Sequence, residues 1–257
     1  AVDGTLWGFG CNEVGQLGVG FDAQHVSPRK VPFPGSIAKV AAGSVHSIII
    51  DAQGNAFGTG SNRSNQLGLQ VEEDEDRDDY VVEFTEVPQL EEVLDVACGN
   101  EHTIFLLADG HICGLGSNEK DQIGVTEGRR NAIRNLLGKP SKYLGNIKYL
   151  ENITTVACGN YNTLCIDKKC RVWTFGDTDN AQLGHEDSEP KKILIQNAKY
   201  LVVGTAHCLV KTTDQSVRAF GHNNKGQLGI GSKENALTPV ELQTEYHSLI
   251  DAPANIE

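Results

Sequence analysis

The chain has no methionine, no Cys-x-x-Cys pair and no long apolar run, and each gap excludes something. A membrane-crossing helix needs roughly 18 consecutive apolar residues, so helical insertion into a bilayer is excluded. Seven cysteines, an odd number without ligand-like spacing, supply neither a disulfide framework nor a zinc cluster. They are expected as small buried residues in a reducing compartment. Positive charge is also scarce: 22 Lys and Arg stand against 34 Asp and Glu, a net of −12. Such a chain is not built mainly to hold phosphate backbones, so nucleic acid is not its expected main partner. No Gly-x-Ser-x-Gly elbow, phosphate loop, His-Glu-x-x-His or calcium loop occurs, so no catalytic residue, metal or cofactor is assigned. Residue 1 is not methionine and is expected to follow a processed or unseen start. Ala1-Val2-Asp3-Gly4 runs straight into a strand pattern without a signal peptide, and the expected location is cytoplasm or nucleus.

What the chain does have is a repeat. Gly-x-Asn-x-x-x-Gln-Leu-Gly recurs at Gly10 to Gly18, Gly60 to Gly68, Gly116 to Gly124, Gly176 to Gly184 and Gly221 to Gly229. Gly-to-Gln spacing is six residues in all five copies. A period of this size marks blades, solenoid units or arrays.

A second motif interleaves with it at Gly43-Ser44-Val45-His46, Gly99-Asn100-Glu101-His102, Gly159-Asn160-Tyr161-Asn162 and Gly204-Thr205-Ala206-His207. Its fourth residue precedes the next motif glutamine by 20 residues each time, whereas the return distance varies between 25 and 40. Rigid spacing reflects paired strands, and variable spacing reflects surface loops. Apolar runs such as Ile48-Ile49-Ile50 and Ile104-Phe105-Leu106-Leu107, followed by Asp51-Ala52-Gln53-Gly54 and Ala108-Asp109-Gly110, read as strands entering hairpins. The returning strands include Leu6-Trp7-Gly8-Phe9 and Val172-Trp173-Thr174-Phe175. Their third position holds only Gly, Thr or Ala, which is expected to admit a neighbouring backbone.

The fold expected is all-β: a single β-propeller domain over 1–257, with five recognisable repeat blades. Thr244 to Asp251 resembles Gly43 to Asp51 with one residue missing. Pairing of that C-terminal stretch, His247 included, with the strand of Trp7 is therefore expected to complete one blade and to hide edge strands. The paired signatures, best at Gly43 to Ser47 and Trp7 to Gly18, resemble the regulator of chromosome condensation family of propellers over nearly the whole chain. That resemblance implies a propeller, usually of seven blades; this chain is then either a reduced propeller or a piece of a longer one. Complementary termini favour the reduced form. The functions it implies range from exchange factor for a Ran-type GTPase to regulatory domains, scaffolds and inhibitors.

Recurrence assigns His46, His102, His207 and His247 a structural role, each making one hydrogen bond inside its own blade rather than gathering around a metal. Trp7, Trp173 and the motif glutamines Gln66, Gln122 and Gln227 are read likewise as structural, the glutamines organising turns. Function is then sought where the repeat breaks. An acidic insert over 70–92 contains Glu72, Glu73, Asp74, Glu75, Asp76, Asp78 and Asp79, with Arg77 the one base among them. A basic insert over 126–150 contains Arg129, Arg130 and Arg134, with Ile133, Leu136 and Leu137 at helical spacing and Gly138 as a stop, predicting one short helix. Both are candidate partner-binding elements. The expected function is a non-enzymatic protein-interaction module, whose partner is another protein, a small GTPase or a multi-subunit assembly. The alternative is a guanine-nucleotide exchange factor for a Ran-type small GTPase.

Overall fold

Each motif copy folds as one small antiparallel sheet in the computed structural model, which describes residues 1, 3–20, 24–69, 79–88, 90, 92–125, 145–146 and 150–242. β1 (Leu6–Cys11) and β2 (Gln24–Val31) form a two-stranded sheet. Four four-stranded sheets follow. The first holds β3 (Ile37–Ala42), β4 (His46–Asp51), β5 (Ala56–Ser61) and β6 (Tyr80–Glu86), and the second β7 (Val93–Cys98), β8 (His102–Leu107), β9 (Ile112–Gly116) and β10 (Gly145–Asn146). The third holds β11 (Ile153–Cys158), β12 (Asn162–Asp167), β13 (Val172–Gly176) and β14 (Lys191–Lys192). The fourth holds β15 (Ala198–Val203), β16 (His207–Thr212), β17 (Val217–Gly221) and β18 (Ala236–Glu241). All neighbours within a sheet run antiparallel in sequence order, and no helix occurs among the described residues.

Strand alternation explains how the sheets stack. Phe105 of β8 points into a core shared with Ile48, Ile50 and Leu67 of the preceding sheet. Its neighbours Ile104 and Leu106 point the other way, into a core shared with Val156, Cys165 and Phe175 of the following sheet. A third such layer joins Leu164 and Ile166 to Val210 and Phe220. Period-two side-chain direction thus places every middle sheet between two apolar layers. Each fully buried Phe or Ile in them contributes about 1.5–3 kcal/mol.

Glycine at the end of the third strand permits the turn. Gly116 has φ +101°, and a Cβ there would lie 2.3 Å from the Glu101 carbonyl oxygen. The small third-strand position works differently from expectation. A Cβ on Gly58 would meet the Leu67 and Ile48 side chains at 2.9 and 3.2 Å. Space is reserved there for the motif leucine, not for another backbone.

Two expectations fall on other residues. The helix expected around Ile133 to Leu137 and the closing strand at His247 lie outside the described residues. Among the described residues no sheet or apolar layer joins β1–β2 to β15–β18.

Candidate functional site

The motif loops organise one end of the stack. In four copies the asparagine carboxamide spans the loop: Asn62 Oδ1 accepts from Leu67 N at 3.0 Å and Asn62 Nδ2 donates to Leu69 O at 2.8 Å. Asn12, Asn118 and Asn223 accept equivalently from Leu17, Ile123 and Leu228. Gln66, Gln122 and Gln227 use Oε1 to accept from the backbone of Ser64, Lys120 and Lys225. In the fourth copy, which has Thr178 in place of asparagine, Gln182 donates to Asp177 Oδ2 at 2.8 Å.

The turn histidines lie at the same end, but they reach out of their own sheets. His46 Nε2 meets Thr103 Oγ1 of the next sheet at 2.9 Å, and that hydroxyl donates to Gln66 O at 2.7 Å. His102 repeats this with Thr163 and Gln122 O at 3.2 and 2.7 Å. In the next pair Asn162 donates to Cys208 Sγ, which donates to Gln182 O. Because the threonine's only hydrogen goes to the carbonyl, His46 and His102 must donate from Nε2. The expectation of a bond inside each blade is therefore corrected for His46 and His102, each of which fastens its sheet to the next. Burial lowers the His46 pKa to about 4; burial, then repulsion from His46, lowers that of His102 to about 3. Both rings are neutral at pH 7.

Inserts depart from this end. Leu69 and Asp79, which bracket residues 70–78, are both held by Asn62, the latter through Asn62 N to Asp79 O at 2.7 Å. Asp79 is exposed, while Glu72, Glu73, Asp74, Glu75, Asp76 and Asp78 lie outside the described residues. Arg129, Arg130 and Arg134 do too, but Val125, just before them, is fixed to Asn118 Nδ2 at 2.7 Å. Leu69, Asp79 and Val125, which flank the two candidate elements, thus belong to motif loops, and the neighbouring turns interlock from sheet to sheet, as in Ser44 N to Gly99 O and Asn100 N to Asn160 O.

The hairpin turns form the opposite end, and here the sequence reading missed features. Asp167 accepts from Arg171 Nε, Trp173 Nε1 and the backbone of Lys169 and Arg171 at 2.6–3.1 Å. Burial works to raise its pKa, but the Trp173 and Arg171 hydrogen bonds prevail and hold it low. Trp173 is therefore only partly buried, with the Arg171 guanidinium 5.6 Å from its ring. Trp7 is 49% exposed. A groove of about 750 Å³ opens between β1–β2 and the next sheet, lined by Leu6, Phe33, Pro34, Ile37 and Phe84 among others.

Among the described residues no three His, Cys, Asp or Glu are grouped to hold a metal. All seven cysteines are free, and burial raises the pKa of Cys98, Cys113, Cys158, Cys165 and Cys208, which makes them weak nucleophiles. No helix among the described residues is long and apolar enough to cross a membrane.

Comparison with known proteins agrees with this architecture. The pattern described as the regulator of chromosome condensation (RCC1) repeat matches residues 3–50 and 53–106, and a second form of it matches 37–66. The mitochondrial RCC1 domain-containing protein RUG3 of Arabidopsis thaliana is 28% identical over 94% of this chain and 55% of its own. The probable E3 ubiquitin-protein ligase HERC4 of Mus musculus is 30% identical over 72% of this chain and 17% of its own. The crystal structure of Prp20p from Saccharomyces cerevisiae superposes with a TM-score of 0.75 at 18% identity, covering 94% of this chain and 62% of Prp20p. The chain thus spans about half, or less, of these curated relatives.

Proposed function

Given that the chain belongs to the regulator of chromosome condensation (RCC1) repeat family, we propose that it is a non-enzymatic protein-interaction module. One observation supports the reading: Leu69, Asp79 and Val125, which flank the two non-repeat inserts, are held by motif asparagines in equivalent loops of a hydrogen-bonded stack of sheets. A rigid support with variable loops on one end suits recognition, because loops tolerate change while the scaffold holds them in place. The relatives support it by their descriptions. HERC4 is a probable ligase in which the matching part is a minor share of the chain, and the Prp20p structure is described with its binding to Gsp1p and histones. The partner proposed here is likewise a protein, and the location the cytoplasm or nucleus; import of the tagged protein into mitochondria, where RUG3 belongs by name, would overturn the location. A nucleotide-release assay with a Ran-type GTPase tests the function. The module reading expects the intrinsic release rate, and acceleration by orders of magnitude would replace it with exchange-factor activity.

The two flanks of the stack belong to the same proposal. Phe9 is 65% exposed although Leu115, Phe175 and Phe220 at the same register are at most 1% exposed. Val40 is 50% exposed against 8% and 7% for its counterparts Val96 and Val156. Ser47 donates to Gln16 O but accepts from no described histidine. We propose that further sheets of the same repeat cover these flanks in a closed ring, presenting a turn histidine to Ser47. Protection of the Phe9 and Val40 amides from hydrogen exchange in the full-length protein is expected, and fast exchange at both would remove the ring.

A further inference from the structure

The hairpin end of the third four-stranded sheet carries three lysines without an ion pair among the described residues, and a leucine that is 94% exposed. Ile193 N donates to Val172 O and Ala198 N to Cys170 O, both at 3.0 Å, so residues 193–198 arch beside the 167–171 turn. On this arch Ile193 and Ile195 turn inward at 4% exposure, while Leu194 stands 94% exposed. Lys192, opposite Trp173 in the strand register, is exposed, as are Lys168 and Lys169 at the hairpin tip. None of these three lysines has an ion pair among the described residues. The nearest acid on the turn, Asp167, is already committed to Arg171, Trp173 and two backbone amides. Glu151 and Asp109 are the acids on the adjoining segments that Lys168 N and Ile153 N bond to.

An exposed large apolar side chain two residues after Lys192, on the arch beside the turn that carries Lys168 and Lys169, places three cations without an ion pair among the described residues on a chain of net charge −12. Resting on the interaction-module reading, we propose that this patch binds an acidic peptide segment that carries an apolar side chain. Carboxylates of the segment meet Lys168, Lys169 and Lys192, and its apolar residue covers Leu194 beside the Arg171–Trp173 stack. Charge complementarity steers the encounter and the buried apolar contact sets the lifetime. A nucleic acid fits less well, because its backbone offers Leu194 nothing apolar and the rest of the chain repels it.

The test is fluorescence anisotropy with the labelled decapeptide Asp-Glu-Asp-Leu-Glu-Asp-Phe-Glu-Asp-Glu, its Leu/Phe-to-Ser version, and a single-stranded decanucleotide. The full chain should bind the first peptide saturably, and the serine version and the oligonucleotide more weakly. Lys168→Glu/Lys169→Glu/Lys192→Glu should weaken binding at least about tenfold, and Leu194→Ser should weaken only the apolar peptide. All four positions are exposed, and an unchanged urea midpoint will show each variant folded. No saturable binding, equal binding by the triple variant, or tighter binding of the oligonucleotide overturns the proposal. Because Leu69, Asp79 and Val125, which flank the inserts, are held at the motif-loop end and not at the hairpin end, loss of a protein partner on altering residues 72–78 with peptide binding intact would separate the two readings.

Discussion

Acidification from pH 7 to pH 5 should weaken the fold steeply, chiefly through two side chains, with His185 and His207, also lowered by burial, adding in the same direction. His46 and His102 are fully buried, and their pKa values fall from an ordinary 6.5 to about 4 and about 3. In the unfolded chain both protonate near pH 6.5, whereas in the folded chain they stay neutral. Above pH 6.5 neither state takes up a proton and the folded state loses nothing. Below it the unfolded state gains about 1.4 kcal/mol per histidine per pH unit. Between pH 6.5 and 5 this amounts to about 2 kcal/mol for each ring and about 4 for both, against a typical stability of about 5–15 kcal/mol. The geometry agrees: Nε2 is the donor to threonine, and a second proton on Nδ1 would face no acceptor, since that atom has no partner. Asp51 and Asp167, held below 3.8, lose their contribution only at lower pH and stay outside this window. Urea unfolding at pH 7.5, 6.5, 5.8 and 5.0 reads the slope directly. The double variant His46→Asn/His102→Asn, which copies the natural Asn162, should flatten it. A wild-type stability that is level from pH 7 to 5, or an undiminished slope in the double variant, would refute the reasoning.

Four further outcomes follow from the same contacts. Thr103→Val removes the hydroxyl between His46 and Gln66 O and should cost about 2–4 kcal/mol in urea unfolding, because two buried groups lose a partner. Gly116→Ala drives a Cβ onto the Glu101 carbonyl at positive φ and should cost about 2 kcal/mol or more. Trp173→Ala should cost about 2 kcal/mol rather than the larger sum of a fully buried ring, and an unchanged thermal midpoint would contradict its packing beside Phe175. Deleting residues 72–78 should leave the unfolding free energy within about 0.5 kcal/mol of wild type, because loop closure depends weakly on length.

Periodic features were readable in the sequence, and contacts between sheets were not. The apolar runs at Ile48 to Ile50 and Ile104 to Leu107 announced β4 and β8 because alternation and hairpin residues are local signals. The turn-organising role of Gln66 was legible for the same reason, since it bonds to Ser64 within its own nine-residue loop. The partner of His46 was not, because Thr103 lies 57 residues away, and recurrence alone cannot distinguish a bond inside a sheet from one to its neighbour. Leu194 was hidden within Ile193-Leu194-Ile195, where only the arch over the hairpin decides which side chain turns outward.

Affinity capture from cells, comparing the intact full-length protein with one in which residues 72–78 are replaced by a Gly-Ser segment and Arg129, Arg130 and Arg134 by Ser, tests the central claim most directly. The account predicts a specific protein partner on the intact chain that is lost from the altered one while the urea midpoint is unchanged. Equal recovery of that partner by both would contradict it.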